Sequence, residues 1–234
     1  MPQTLPIRAA VFDLDDTLYP EREYVRSGYR FVASRLAANK PGDRGAAEYL
    51  HWLWQRFLAG RAERAFDALS EHFELGLSPE EIGDLVTAFR GHSPRIRPWR
   101  DMADLVERLQ EDLRLGLLSD GYLPTQRLKL EALGLARFFE VAVFTEELGR
   151  ECWKPSPAGF EMAAERLGAP HERCAYVADN PAKDFIAPNA LGWRTIQLRR
   201  ACQVHAHNPA PEGGEPHYVA HSAADVRAAL LASG

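Results

Sequence analysis

The chain has 234 residues, 46% of them hydrophobic and 10% aromatic, with 28 Lys and Arg against 33 Asp and Glu for a formal net charge of −5. That length suits one large domain or a core carrying an insertion, and the apolar content excludes wholesale disorder. A pI of about 5.9 excludes any general attraction to nucleic acid or to an anionic membrane. Cys152, Cys174 and Cys202 are widely spaced and odd in number, so they make neither a CxxC pair nor a disulfide framework. The apolar runs fall far short of the ~20 residues that span a bilayer. The opening MPQTLPIRAA lacks the charged start and apolar centre of a signal peptide, so a reducing cytoplasm is the expected location.

In chain order, residues 7–12 predict a buried strand. From about residue 21 to 92 no strand pattern occurs, and four helices are expected instead, over 21–38, 43–58, 61–75 and 78–89. The last opens on Ser78-Pro79-Glu80-Glu81, an N-cap with proline in the first turn and a capping-box acid. Residues 93–99 (SPRIRPW) form a linker. Strands are then expected over 113–118, 141–144, 174–178 and 194–198, with helices over 124–133, 157–167 and 181–190, and Gly134, Gly168 and Gly192 behind them as stops. The Pro-, Gly- and His-rich stretch 205–217 reads as an exposed, mobile loop before a strand at 218–220 and a helix at 222–231. His205 and His207 lack the third ligand that a metal site needs. Strand and helix alternating at short intervals imply a doubly wound parallel sheet of α/β class, whose ligands sit beyond the carboxyl ends of the strands. The expected domains are a core of residues 1–18 with 96–234 and an inserted all-helical domain, 19–95.

Chemistry-bearing residues stand at four of these strand exits. Val11-Phe12-Asp13-Leu14-Asp15-Asp16-Thr17 crowds three acids behind the first strand. A helix cap or Asx turn accounts for one of them but not three. An extended backbone aims Asp13 and Asp15 the same way and Asp16 the other, where hydrogen bonding suits it. Ser119-Asp120-Gly121 follows the second strand, Lys154 lies in the loop after the third, and Asp179-Asn180-Pro181-Ala182-Lys183-Asp184 follows the fourth. Singly these are an ordinary turn, a loop lysine and a helix start. Together and in this order they are not a chance pattern.

The constellation resembles the haloacid dehalogenase-like (HAD) hydrolases, with all four motifs matched over essentially the whole chain. Asp13 to Thr17 resembles the DxDx[TV] motif, Ser119 the second motif, Lys154 the third and Asp179 with Asp184 the fourth. The helical block resembles the family's cap domain. The resemblance implies a Rossmann-like core and a Mg²⁺-dependent phosphatase acting on a small phosphomonoester, a sugar phosphate or a nucleotide. Asp13 is then the nucleophile that forms an aspartyl-phosphate, and Asp15 the general acid and base. The family pattern places Mg²⁺ on Asp13, the Asp15 carbonyl and Asp179, with Asp184 supporting that shell. Ser119, Asp120, Gly121 and Lys154 are the expected substrate-binding residues. Asp120 stands where Asn is commoner, and Ala178 replaces the usual glycine before Asp179. On this count Asp13, Asp15, Asp179 and Asp184 carry about −4 against the single positive charge of Lys154, an imbalance that Mg²⁺ offsets.

Two other classes remain open. A phosphomutase uses the same residues and passes the phosphoryl group to a sugar hydroxyl, and a non-catalytic binding protein could keep the fold. A dehalogenase is disfavoured because it has no use for the acid two residues after the nucleophile. Specificity is expected in the helical block. Tyr19 and Arg22, nearest the first motif, are its candidates, whereas Trp52 and Trp54 at helical spacing read as core. The expected partner is a small phosphorylated metabolite, with neither nucleic acid nor membrane, for a monomer or homodimer.

Overall fold

The computed structural model describes residues 5–39 and 45–232. Six parallel strands form one sheet: β1 (Ala9–Phe12), β2 (Arg114–Ser119), β3 (Val141–Phe144), β4 (Cys174–Ala178), β5 (Arg194–Leu198) and β6 (Tyr218–Ala220), in the order β3-β2-β1-β4-β5-β6. The chain leaves β1 toward one edge, returns, and continues from β4 toward the other, so the topological switch point lies between β1 and β4. Helices cover the sheet, and its central strands are apolar throughout, as burial on both faces requires. The period of two shows in β1. Ala9 and Val11 join Leu118, Val143, Phe160, Tyr176 and Trp193 in one core cluster, while Ala10 and Phe12 belong to the other face.

Around the sheet lie α5 (Arg100–Leu109), α6 (Leu123–Leu133), α7 (Ala158–Arg166), α8 (Ile186–Ala190) and α9 (Ala223–Leu231). The sequence reading does not assign α5, although Met102, Leu105, Val106 and Leu109 form a buried stripe at helical spacing. Its start at Trp99 has no capping side chain to announce it. The helix expected over 181–190 begins only at Ile186. Ahead of it, Asp184 Oδ2 accepts from the Asn180 N–H (2.9 Å) and Asn180 Oδ1 from the Ala182 N–H (3.1 Å), so side-chain bonds shape the turn that precedes the helix. The segment 205–217 is also less free than expected. Ala206 is fully buried, its carbonyl accepts from Gln197 Nε2 (2.9 Å), and the neighbouring Val204 N–H donates to Asp16 Oδ2 (2.6 Å).

The remaining helices are α1 (Glu21–Asn39), α2 (Ala46–Leu58), α3 (Ala65–His72) and α4 (Pro79–Gly91). Residues 43 and 44 of the helix expected over 43–58 lie outside the described residues. The helix expected over 61–75 is shorter because Arg64 at one end and Glu74 at the other adopt positive φ. The capping box of α4 is complete: Ser78 Oγ accepts from the Glu81 N–H and Glu81 accepts from the Ser78 N–H. Gly28 lets α1 approach α4 closely, since a Cβ there would lie 2.5 Å from the Phe89 ring. Trp52 stacks on His72 and Trp54 on Phe57, so both pack among their helical neighbours.

The chain divides into two compact units, one of residues up to Arg22 and from Arg97 onward, the other Glu23–Ile96. Residues 19–22 stay with the sheet because the preceding turn is tied to it. Asp16 Oδ1 accepts from the Glu21 N–H (2.8 Å), and the Leu18 carbonyl accepts from the Trp99 N–H (3.0 Å). Among the described residues no helix is long and apolar enough to cross a membrane.

Candidate active site

The parallel register sets β1, β2 and β4 level, with Phe12 beside Leu117 and Val177, so the residues that follow emerge along one edge of the sheet. The Asp13 N–H still donates to the Val177 carbonyl (2.9 Å), which carries the sheet pairing up to the first acid. Asp13 directly follows β1 and Asp179 directly follows β4, the two strands of the switch point, where an α/β sheet leaves its ligand crevice. Beyond Asp15 the backbone turns, with Asp16 at φ +50°, so Thr17 does not continue an extended run.

Asp13, Asp179 and Asp184 are all buried and offer carboxylate oxygens within 4.8 Å of one another. Lys154 Nζ lies 3.1 Å from Asp13 Oδ1 and 2.8 Å from Asp184 Oδ1, and it donates to the Tyr176 hydroxyl (3.0 Å). Burial pushes the Asp13 carboxyl up to about 6 against the pull of Lys154. Burial, then the repulsion of Asp184 and Asp13, drives Asp179 well above the usual carboxylate range. Burial disfavours a charged Lys154, but Asp13 and Asp184 outweigh it and hold the ammonium well above its ordinary value. Asp179 Oδ2 and the Thr17 hydroxyl oxygen are buried without a hydrogen-bond partner. Clustered hard oxygens with one left unsatisfied fit a divalent cation such as Mg²⁺.

Asp15 stands in a different setting. Burial raises its carboxyl, but Lys129, Gln126 and Tyr19 together hold it below the usual range. Lys129 Nζ lies 2.8 Å from both carboxylate oxygens, Gln126 Nε2 donates to Oδ2 (3.0 Å), and the Tyr19 hydroxyl donates to Oδ1. Ser119 ends β2 and accepts from Gln126 Nε2 (2.7 Å). Asp120 does not point its carboxylate into an open space. Its Oδ1 accepts from the Thr145 hydroxyl (2.8 Å) and the Lys154 N–H (3.2 Å), and its Oδ2 faces Lys183 Nζ at 3.1 Å.

The sequence count of one ammonium is therefore too low. Lys129 and Lys183 join Lys154, each paired to an acid of the motifs. Neither could be singled out by motif. Lys129 sits three residues after Gln126 on one face of α6, and only the packing of α6 beside the β1 exit brings it to Asp15. Asp16 takes the structural part expected of it, accepting from the Glu21 and Val204 N–H groups. His205 lies 3.8 Å from Glu21, and neither His205 nor His207 joins a ligand cluster among the described residues.

Glu21 yields a pH prediction. Burial, then the charge of Asp15, pushes its carboxyl from an ordinary 4.5 to about 8. A value raised on folding means that the contribution to stability is complete at low pH and lost as pH rises through about 8. Glu21→Gln should flatten that fall, gaining at least about 1 kcal/mol over the parent near pH 8.5 and little near pH 4. Thermal unfolding at both pH values measures it, and an equal gain at the two would contradict the assignment.

The family model for haloacid dehalogenase-like hydrolases matches residues 7–192. The chain is 31% identical over 201 residues to a glyceraldehyde 3-phosphate phosphatase of Methanopyrus kandleri, covering 83% of this chain and 84% of that one. It is 32% identical over 238 residues to a phosphoserine phosphatase of Thermus thermophilus, covering 88% and 94%. Among solved structures, the magnesium-bound HAD-hydrolase YfnB of Bacillus subtilis shares the fold at a TM-score of 0.69 and 21% identity, over 97% of this chain and 100% of that one. The chain belongs to the haloacid dehalogenase-like hydrolase family, among relatives that are phosphatases.

Proposed function

We propose that the protein is a Mg²⁺-dependent phosphatase that hydrolyses a small phosphomonoester through an aspartyl-phosphate on Asp13. The observation that carries the reading is Lys154 Nζ between Asp13 and Asp184, with Asp179 in the same cluster. An Asp13 oxygen attacks phosphorus and the ester P–O bond breaks. Asp15, held ionised in the free protein by Lys129, Gln126 and Tyr19, takes up a proton when the phosphomonoester binds and gives it to the departing oxygen. A water then attacks the acyl phosphate, Asp15 takes its proton, and the P–O bond to Asp13 breaks to release phosphate. Lys154 lowers the charge on the nucleophile and the transferring group, and the Ser119 hydroxyl and Gly121 N–H hold phosphoryl oxygens. Asp13, the Asp15 carbonyl and Asp179 would hold Mg²⁺, with Asp184 supporting them. When bound, the ion neutralises the crowded carboxylates and the incoming phosphate. The helical unit Glu23–Ile96 would serve as the cap domain.

Two of the relatives act, by name, on phosphates of a triose and of serine, which supports a compact, polar substrate. The test is phosphate release by the purified protein from a panel of sugar phosphates, nucleotides and phosphoserine. Chelation should lower turnover at least about 100-fold and Mg²⁺ restore it. Full turnover in chelator would overturn the metal assignment. Isomerisation without net phosphate release would replace the hydrolase by a mutase.

A further inference from the structure

We propose that Gln126 is a positioning residue: its amide nitrogen, with Lys129 one turn further along α6, fixes the Asp15 carboxylate and leaves the Ser119 hydroxyl proton for the substrate phosphoryl group. The inference rests on the phosphatase reading above and goes to residues outside the four motifs.

Gln126 is 2% exposed, and its Nε2 lies within hydrogen-bond reach of three oxygens: Asp15 Oδ2 at 3.0 Å, Ser119 Oγ at 2.7 Å and the Asp120 carbonyl at 2.7 Å. A carboxylate and a carbonyl can only accept, so the amide must present its NH₂ to them rather than its oxygen. One hydrogen goes to Asp15, and the other is shared between Ser119 Oγ and the adjacent Asp120 carbonyl. An amide nitrogen accepts nothing, so the Ser119 proton cannot turn toward Gln126. The Asp120 carbonyl, 3.5 Å from Ser119 Oγ, is too far to hold it well. That proton is left for an oxygen arriving above the sheet edge. The neutral amide thus orients a donor in the second motif and the acid of the first with one group, adding no charge to a site already dense in carboxylates. Space for it comes from Gly121 at φ +120°, where a Cβ would stand 3.3 Å from Gln126 Cδ.

Lys129 completes the arrangement from the same helix face. Its side chain is 6% exposed and grips both Asp15 oxygens, so the carboxylate plane is set by donors on two sides. A general acid contributes only when its proton lies along the line of the departing oxygen. Loss of orientation should therefore cost most where the leaving group needs that proton.

The test compares kcat/KM for p-nitrophenyl phosphate, whose phenolate leaves unaided, with that for β-glycerophosphate, whose alkoxide does not. Gln126→Met keeps the length and removes the donors; it should lower kcat/KM for the alkyl ester about tenfold more than for the aryl ester. Gln126→Glu turns the Ser119 proton toward the new carboxylate and should also weaken orthophosphate binding in magnesium buffer, read by calorimetry, about tenfold or more. Should Gln126→Met fail to fold, Gln126→Asn carries the same comparison with the amide drawn back by one methylene. A parent active on both esters whose folded variants lose both equally, or lose neither, overturns the positioning role alone. A parent inert on every ester, with orthophosphate affinity indifferent to Gln126→Glu, overturns this role and the phosphatase reading together.

Discussion

Asp13→Asn should lower kcat by at least about 10⁴-fold on an aryl phosphate while leaving a folded protein, because removal of a nucleophile eliminates the covalent route rather than weakening it. The fold should tolerate the change. Burial already pushes the Asp13 carboxyl up to about 6, so the site does not favour its charge, and Lys154 keeps Asp184 as a partner when Asp13 becomes neutral. A melting temperature equal to or above that of the parent is expected near neutral pH. Acid quenching of the parent during turnover of a labelled substrate should leave phosphate on the protein, and the variant should carry none. Undiminished turnover in Asp13→Asn would overturn the covalent mechanism, whatever the metal does.

Lys154→Met should be the more damaging substitution for the fold. The Lys154 side chain is 1% exposed and faces Asp13 and Asp184, whose side chains are 8% and 0% exposed. Taking away one member of a buried ionic cluster leaves the others desolvated without compensation, at a cost of about 3–5 kcal/mol. Part of that loss should return at low pH, where Asp13 and Asp179 bind protons readily, and part with saturating Mg²⁺, which restores positive charge among the same acids. Activity should not return under either condition. Denaturant unfolding with and without Mg²⁺ measures the first expectation and phosphate release the second. A variant as stable as the parent near neutral pH would mean that solvent, not Lys154, balances the cluster.

The two predictions differ because the two residues are legible in different ways. Asp13 is visible as chemistry in the sequence alone: an acid following an apolar strand, with another acid two residues on. Lys154 taken singly is a lysine in a loop, legible only through its place in the order of the four motifs, and its weight comes from the closeness of Asp13 and Asp184. Gln126 and Lys129 carry no sequence signal of function, since an amide and an amine three apart on a helix describe most solvated faces. Asp120 is legible as an extra acid beside the second motif, and only packing shows its carboxylate paired with Thr145 and Lys183. The same limit applies to the fold. Strands β3, β4 and β5 are legible to the residue from their apolar runs, whereas α5 lacks the cap that would announce it and the late start of α8 follows a turn shaped by the side chains of Asn180 and Asp184.

By itself the sequence determined the parallel α/β core, the helical insertion and the acids that stand at strand exits, because hydrophobic period and turn chemistry are local and act within a few residues. Only the tertiary structure decided how charge is distributed in the site, since the ammonium groups that face Asp15 and Asp120 come from positions 114 and 63 residues away along the chain. Coulomb interaction and hydrogen bonding depend on distance in space, and that distance is set by how α6 and the segment after β4 pack against the β1 edge rather than by any pattern along the chain.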